Sequence, residues 1–175
     1  MSNSDLSPVA DTMSLQELNI VSSAIAQEFF MQVCHCQRWA TDMTHSRPFA
    51  NMRELRQTAE ALWADASESE ILEAFSGHAR IGDLSALKEK YCAAAREQGQ
   101  VAQSSLEIIE QLYEENNRYL QQNGFIFVVC ASGKSAEEML TLLRTRIFNT
   151  REQELMNGAA EQSKITALRL AEKVN

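Results

Sequence analysis

The sequence has few residues that form tight turns and no long apolar run. Its 175 residues include only six glycines and two prolines, which leaves little turn material for an all-β fold. No apolar stretch approaches the ~20 residues that a membrane-spanning helix requires. Residues 1–11 are polar and acidic and lack the basic start and apolar core of a signal peptide, so we expect a cytoplasmic protein without a membrane partner.

Basic residues are in the minority. The chain has 16 Lys and Arg residues against 24 Asp and Glu residues, which gives a net charge of −8 at pH 7. Because proteins bind phosphate backbones through clustered Lys and Arg side chains, this balance argues against nucleic acid as a partner. The excess of acidic residues favours solubility and does not by itself indicate a specific acidic site.

The cysteines are too few and too scattered for a disulfide framework. A C-x-C pair on a helix points its two thiols to different faces, and no second cluster completes a tetrahedral metal site. We therefore expect no metal site. We expect reduced, partly buried thiols at the four cysteines, which are Cys34, Cys36, Cys92 and Cys130.

The apolar residues recur at helical spacing, and serines mark several helix starts. Ser14, Ser67 and Ser135 each precede a glutamate by three residues, which is the pattern of a capping box. The apolar residues after Ser14 predict one helix that continues to Val33. The remaining helices are predicted over about 38–43, 51–63, 67–76, 83–98, 104–123, 135–148 and 150–172.

One stretch interrupts this helical pattern without turn residues. Residues 125–131 are apolar but have no helical period, which predicts an extended or buried connection. The chain has no internal repeat and no low-complexity linker. We therefore predict an all-α fold, with a flexible tail over residues 1–13 and a single-domain bundle of seven or eight helices over residues 14–175.

A histidine lies in a short loop between two predicted helices. Gly77 and Gly82 bracket this loop, and glycine adopts backbone angles that other residues avoid, which suggests a fixed, tight turn. Loops held between rigid helices often present catalytic side chains, so His78 is a candidate acid–base group. The alternative is a plain helix–helix connection in which His78 caps a neighbouring helix.

Two further polar residues, Arg146 and Asn116, break the pattern of their predicted helices, and Glu97 is a third candidate. Arg146 follows an apolar stripe, and a buried guanidinium must be paired or solvated, so it has a structural partner or holds an anion in a cavity. Asn116 lies on an apolar face and must hydrogen-bond to backbone or to a ligand. Glu97 lies near the end of the helix that follows the His78 loop, where an exposed helical glutamate is the simpler interpretation. From the residues alone, the prediction stops at an all-α domain with a candidate site at His78.

Six short motifs occur in register along the chain. Together they resemble the family of 2-oxo-4-hydroxy-4-carboxy-5-ureidoimidazoline (OHCU) decarboxylases, over about residues 18–170. The motifs are Phe30…Cys34…Arg38-Trp39-Ala40…Met43…Arg47-Pro48-Phe49, His78-Ala79-Arg80-Ile81-Gly82, Glu97-Gln98, Asn116-x-x-Tyr119, Gly124-Phe125-Ile126-Phe127 and Arg146-Ile147-x-Asn149.

This resemblance implies a function and a set of site residues. It implies an all-helical homodimer that needs neither a metal nor an organic cofactor and that catalyses the last step of urate oxidation to (S)-allantoin. Catalytic roles are implied for His78, Glu97 and Arg146. Substrate binding, largely through backbone groups of residues 124–127, is implied at Ala79, Ala94, Asn116, Gly124, Phe125, Ile126 and Phe127.

The chain departs from the family pattern at three positions. The family usually has proline where this chain has Ala79, often has serine where it has Ala94, and usually has an aromatic residue where it has Asn123. The alanines do not remove a titratable catalytic group. Two other classes stay open, namely a non-enzymatic helical interaction module with an exposed apolar groove, and a cofactor-free lyase or hydrolase that acts on another small ureide.

Overall fold

Helices make up most of the part of the chain that the computed structural model describes, which is residues 11–78 and 102–175, with side chains from 107 onward in the second range. Within these ranges there is no strand beyond an isolated bridge between Met13 and Val174. The predicted all-α class is confirmed. The described helices are α1 (Leu15–Ile20), α2 (Ser23–Val33), α3 (Gln37–His45), α4 (Met52–Ala64), α5 (Glu68–Ser76), α6 (Ala102–Asn123), α7 (Ala136–Arg146) and α8 (Arg151–Lys173).

The serine caps begin helices where the sequence predicts them. Ser14, Ser67 and Ser135 form capping boxes, and the backbone N–H of each serine donates to the glutamate carboxylate three residues later at 2.7 Å. This contact satisfies a backbone donor that the first helical turn leaves unpaired. The helix predicted after residue 83 lies outside the described residues.

The chain divides into two compact units. The first takes Met1–Gly77 and Ser163–Asn175, and the second takes His78–Gln162. Helix α8 contributes residues to both units. The flexible tail over residues 1–13 and the single domain over residues 14–175 stay predictions. None of the described helices is long and apolar enough to span a membrane.

The core of the first unit is built on aromatic side chains. Phe30 contacts Trp39 and Phe49 edge to face, with ring centroids 5.9 and 6.4 Å apart. The indole N–H of Trp39 donates to the carbonyl of Ala59 at 3.1 Å, which pairs the one polar atom of a fully buried side chain. In this unit α2 packs against α3, and α3 packs against α4. Cys34 and Cys36 are buried thiols here, as Cys130 is in the second unit, while Cys92 lies outside the described residues.

The prediction of one helix from Ser14 to Val33 is wrong. Helix α1 ends at Ile20, and Ser22 caps a new helix by accepting from the backbone N–H of Ile25. Arg47 explains the break, because its Nη1 atom donates to the carbonyls of Leu18 and Val21 at 2.7 and 2.9 Å. A side chain from elsewhere in the chain thus satisfies carbonyls that a continuous helix would have paired internally.

Gly77, the residue before His78, is packed against another part of the first unit. A Cβ at this position would clash with Cβ of His35 and lie 2.6 Å from its Cγ atom. We therefore expect Gly77→Ala to lower the free energy of unfolding by about 1–3 kcal/mol, as overpacking does. Urea denaturation measures this loss. The same substitution in a His35→Gly background should cost little, and an equal cost in both backgrounds would show that the His35 contact is not the cause.

The second unit joins two helices through an extended segment. Helices α6 and α7 pack against each other, and α6 ends at Gly124, whose φ of +76° is a left-handed conformation that suits glycine. Residues 125–130 then have no regular secondary structure, and only Ile126 among them is not buried. The predicted extended connection is confirmed.

Candidate functional site

Arg146 lies at the end of α7 and is largely buried within the second unit. Two of its three guanidinium nitrogens form hydrogen bonds. Its side chain is 12% exposed. Its Nε atom donates to Oε2 of Glu154 at 2.8 Å, and its Nη1 atom donates to the carbonyl of Val128 at 2.9 Å. The guanidinium also lies over the ring of Phe127, with Cζ 4.6 Å from the ring centroid, a cation–π geometry. The sequence left open whether Arg146 has a structural partner, and Glu154 is that partner.

One nitrogen of this guanidinium is left without a hydrogen bond. Nη2 of Arg146 lies 2.8 Å from Oε2 of Glu154, so the two charges attract. Its N–H bonds nevertheless do not point at that oxygen, and this buried atom has no hydrogen-bond partner among the described residues. Because a buried donor without a partner is costly, a native protein usually keeps one for a reason, such as binding a ligand.

Glu154 is the centre of the hydrogen-bond network behind Arg146. Its side chain has no exposed surface. Its Oε2 atom accepts from the hydroxyl of Tyr119 at 2.5 Å, and its Oε1 atom accepts from the amides of Asn149 and Asn157 at 2.8 Å each. The carboxylate is therefore saturated with donors, which is what a buried charge needs in order to stay ionised.

These contacts determine that Glu154, and not Tyr119, carries the negative charge. Burial alone would raise the pKa of Glu154. The donors from Asn149, Tyr119 and Asn157, together with the guanidinium charge, outweigh burial and hold that pKa below its ordinary value. Burial and the neighbouring carboxylate raise the pKa of Tyr119, so it stays a neutral donor. The pair to Arg146 is therefore an ionised carboxylate at neutral pH.

The extended segment from Gly124 to Phe127 runs beside this network. Phe125 and Phe127 point inward and pack edge to face on Tyr119, with ring centroids 6.1 and 5.4 Å away, while the side chain of Ile126 is only half-buried. The backbone amides of Ile126 and Phe127 form no hydrogen bond with any described residue. Near the Arg146 side chain, the segment thus has two backbone donors that no described residue accepts from.

His78 is held by a glutamine from the same unit. Its Nε2 atom lies 2.5 Å from Oε1 of Gln162, a fully buried side chain, while His78 itself is half-buried. Because an amide oxygen can only accept, the Nε2 atom of the ring must carry the proton in this contact. The neutral ring then has its lone pair on Nδ1.

Helix α8 carries both Glu154, which bonds Arg146, and Gln162, which bonds His78. Glu154, Gly158 and Gln162 are spaced four residues apart, lie on one face of the helix and are all buried. Eight residues of helix separate Glu154 from Gln162 by about 12 Å along the axis. Between them, Glu161 accepts from the backbone N–H of Cys130 at 2.7 Å. One helix therefore positions the partners of Arg146, of His78 and of the extended segment.

The other predicted site residues are described only in part. Asn116 is 8% exposed, and its amide nitrogen donates to the carbonyl of Leu112 at 2.7 Å, one turn back in α6. Of the two alternatives for this amide, the backbone contact is therefore present. Ala79, Ala94 and Glu97 lie outside the described residues. No three His, Cys, Asp or Glu side chains within the described ranges are placed to hold a metal ion.

Glu154 and Gln162 were not predicted from the sequence. Both are fully buried, but the helix predicted over about residues 150–172 was assigned no buried face. The signal was available in the spacing, because a glutamate, a glycine and a glutamine take the i, i+4 and i+8 positions where a helix usually buries apolar side chains. Polar residues at such positions indicate either a buried network or a site.

Known proteins are similar to this chain over most of its length. The chain is 34% identical over 152 residues to the "Uric acid degradation bifunctional protein TTL" of Arabidopsis thaliana, an alignment that covers 84% of this chain and 47% of the plant protein. It therefore spans about half the length of that relative. It is 28% identical over 171 residues to the "2-oxo-4-hydroxy-4-carboxy-5-ureidoimidazoline decarboxylase" of Amia calva, covering 90% of this chain and 93% of the fish protein.

A solved structure and a family model complete the comparison. A crystal structure of an OHCU decarboxylase in the presence of (S)-allantoin superposes with a TM-score of 0.69 at 33% identity, covering 83% of this chain and 96% of the other. The model of the OHCU decarboxylase family matches residues 19–171, which is nearly the whole chain. The chain belongs to the OHCU decarboxylase family.

Proposed function

We propose that this chain decarboxylates OHCU to (S)-allantoin and CO2 without a metal or organic cofactor, as the last step of urate oxidation. The observation that supports this most is the shared buried face of α8, which anchors His78 through Gln162 and Arg146 through Glu154. An acid–base group and a fixed guanidinium, held by one helix, are the two groups that a cofactor-free decarboxylation needs. The family to which the chain belongs favours the same chemistry.

The reaction places negative charge on the substrate, and Arg146 is suited to receive it. When the C–C bond to the carboxylate breaks, CO2 leaves and the electron pair enters the conjugated ring. In our proposal, Nη2 of Arg146, which forms no hydrogen bond with a described residue, donates to the substrate oxygen on which this charge develops. Because Glu154, Val128 and Phe127 already hold the guanidinium, it does not reorganise during the reaction.

His78 handles the proton in this proposal. A proton must add to a ring carbon after CO2 leaves, and the side from which it arrives sets the S configuration. The contact between Nε2 and Gln162 holds the ring in place for this proton exchange. An imidazole with an ordinary pKa of ~6.5 can take and return a proton near neutrality. Glu97 is proposed to orient substrate nitrogens, and Ala79 and Ala94 are proposed to line the pocket.

The extended segment is proposed to bind the ring of the substrate. The backbone amides of Ile126 and Phe127 form no hydrogen bond with a described residue, and a carbonyl of a ureide or imidazoline is a suitable acceptor for them. Gly124 allows the chain to leave α6 and run past Arg146 with Phe125 turned inward. Asn116 supports α6 from within and is proposed as a pocket residue without direct proton chemistry.

The contact between Gln162 and His78 gives a testable consequence. We expect Gln162→Leu, which keeps the volume but removes the acceptor, to lower kcat about tenfold, the equivalent of one hydrogen bond of about 1 kcal/mol. Long-range ¹⁵N NMR of the histidine rings should show that His78 loses its preference for the Nε2-protonated form. If neither kcat nor the tautomer changes, Gln162 does not fix the ring.

Turnover of the substrate tests the proposed function. OHCU generated from urate in situ decays slowly in water, so its loss can be followed by ultraviolet absorbance with and without the chain. We expect catalytic amounts of the folded chain to accelerate this loss and to release CO2 in equal amount. The same preparation after heat denaturation serves as the control. If the native chain leaves the rate unchanged, the proposed activity is wrong.

We also propose that the chain acts as a homodimer, as the family resemblance implies. Two large apolar side chains of the second unit support an association surface, since Phe148 is 82% exposed and Met156 is 66% exposed. Sedimentation equilibrium measures the mass directly. A dimer that dissociates when Phe148 is replaced by serine would support this surface, whereas a monomer at all concentrations would contradict the proposal.

A further inference from the structure

Within the part of the chain that the structure describes, Nη2 of Arg146 is a buried nitrogen of the Glu154 network that has no hydrogen-bond partner. Among the described residues, its Nε and Nη1 atoms are bonded to Glu154 and Val128, and only Nη2 lacks a hydrogen bond. A guanidinium can rotate about its last side-chain bonds unless its plane is fixed. The direction of the Nη2 donors therefore depends on the groups that fix that plane.

Glu154 and Phe127 constrain the guanidinium of Arg146 in different ways. The ring of Phe127 lies against the flat face of the guanidinium and leaves rotation within the plane open. The carboxylate of Glu154 bonds an edge, through Oε2 to Nε at 2.8 Å, and so sets the in-plane direction. A lysine in place of Arg146 has no planar group for Phe127 and Glu154 to orient, and a neutral residue in place of Glu154 lacks the charge that attracts the guanidinium.

The carboxylate is itself immobilised. Its Oε1 atom accepts from Asn149 and Asn157, and its Oε2 atom accepts from Tyr119 as well as from Arg146. Asn149 and Asn157 come from either side of Glu154 in sequence, and Tyr119 comes from α6, so each rotation of the carboxylate would break a bond to a different element. Because these bonds hold Glu154 firmly, its carboxylate oxygen can keep the Arg146 guanidinium in one orientation.

From these contacts we infer that Glu154 is a positioning residue for the reaction: it fixes the Arg146 guanidinium so that the N–H groups of Nη2, which form no hydrogen bond with a described residue, face the substrate oxygen. This inference rests on the proposed function. Glu154 does not touch the substrate and exchanges no proton with it. Tyr119 acts one step further away, because its hydroxyl bonds the same Oε2 atom that holds Nε of Arg146.

Glu154→Gln tests the inference, because it keeps the length of the side chain and removes the charge. We expect kcat per folded molecule to fall roughly tenfold to a hundredfold, since an ångström-scale misplacement of a binding group can cost that much. In an Arg146→Lys background the same substitution should change kcat by less than about twofold, because the group it positions is already gone. Equal losses in both backgrounds would overturn the inference.

A milder variant and a matched control complete the experiment. Tyr119→Phe removes one donor to Oε2 and leaves the charge pair, so it tests the network if Glu154→Gln does not fold. We expect about a threefold loss of kcat in the native background and no loss in the Arg146→Lys background.

Gln122 provides the control, because it donates to the carbonyl of Ile147, the residue after Arg146, at 2.9 Å. Gln122→Ala should leave kcat unchanged, and an equal loss there would assign the effect to general loosening of the end of α7.

A readout without turnover separates this inference from the proposed function. The ¹⁵N NMR signal of Arg146 Nε–H, assigned by its loss in Arg146→Lys, should exchange slowly with water in the native chain and rapidly in Glu154→Gln. If that holds while the native chain shows no decarboxylation, the positioning contact stands and the activity is wrong. If Nε–H exchanges equally in both, Glu154 does not position Arg146.

Discussion

Replacing His78 with asparagine is expected to lower kcat about a hundredfold or more, which is the usual contribution of a positioned general acid–base group. Asparagine keeps a polar side chain with an amide at about the position of Nδ1, but it cannot take and return a proton at neutral pH. The expected loss is therefore in the chemical step, and kcat and kcat/KM should fall together.

The matched control for this variant is another histidine of the same chain. His45 is exposed at the end of α3, and His45→Asn is expected to leave kcat unchanged. Circular dichroism in the far ultraviolet and urea denaturation establish that both variants are folded. Turnover of His78→Asn close to that of the native chain would remove this histidine from the mechanism.

Arg146→Lys is expected to lower kcat/KM at least about tenfold although the charge is retained. Lysine has a single ammonium group and cannot bond Glu154 and Val128, lie over Phe127 and offer a further donor to the substrate at once. In the structure, the planar guanidinium makes the three protein contacts at once and keeps Nη2 without a hydrogen-bond partner among the described residues. Steady-state kinetics, corrected for the folded fraction, measure the effect.

Arg144 provides the control for Arg146. It lies two residues earlier in α7 with its side chain 51% exposed, and it donates to the amide oxygen of Gln111 at the surface. Arg144→Lys should therefore be neutral in kinetics and nearly neutral in stability. An Arg146→Lys variant with an unchanged kcat/KM would show that the fork of the guanidinium is not used.

Local sequence signals predicted most of the helices because caps and apolar spacing act over a few residues. The capping boxes at Ser14, Ser67 and Ser135 each begin a helix where expected. The break between α1 and α2 could not be predicted in this way, because apolar residues run through it at helical spacing. It depends on Arg47, which reaches back 26 and 29 residues to pair the carbonyls at the end of α1.

The candidate site, like the fold, could be predicted where the sequence signal is local but not where residues far apart in sequence come together. The sequence pointed to His78 by its glycine-flanked loop and to Arg146 by its place on an apolar helix, and the resemblance gave both a catalytic role. It did not name their partners, since Glu154 and Gln162 pair with residues 8 and 84 positions away. A polar residue in a buried helical stripe indicates that it has a hydrogen-bond partner, but the identity of that partner depends on the tertiary fold.

The chirality of the product tests the central proposal most directly. OHCU decarboxylates in water without stereocontrol, so its uncatalysed product is racemic allantoin. With OHCU generated from urate in situ and the native chain added, circular dichroism at the allantoin band should develop the signal of the S enantiomer at a rate proportional to the amount of chain. A racemic product formed at the uncatalysed rate would contradict the account.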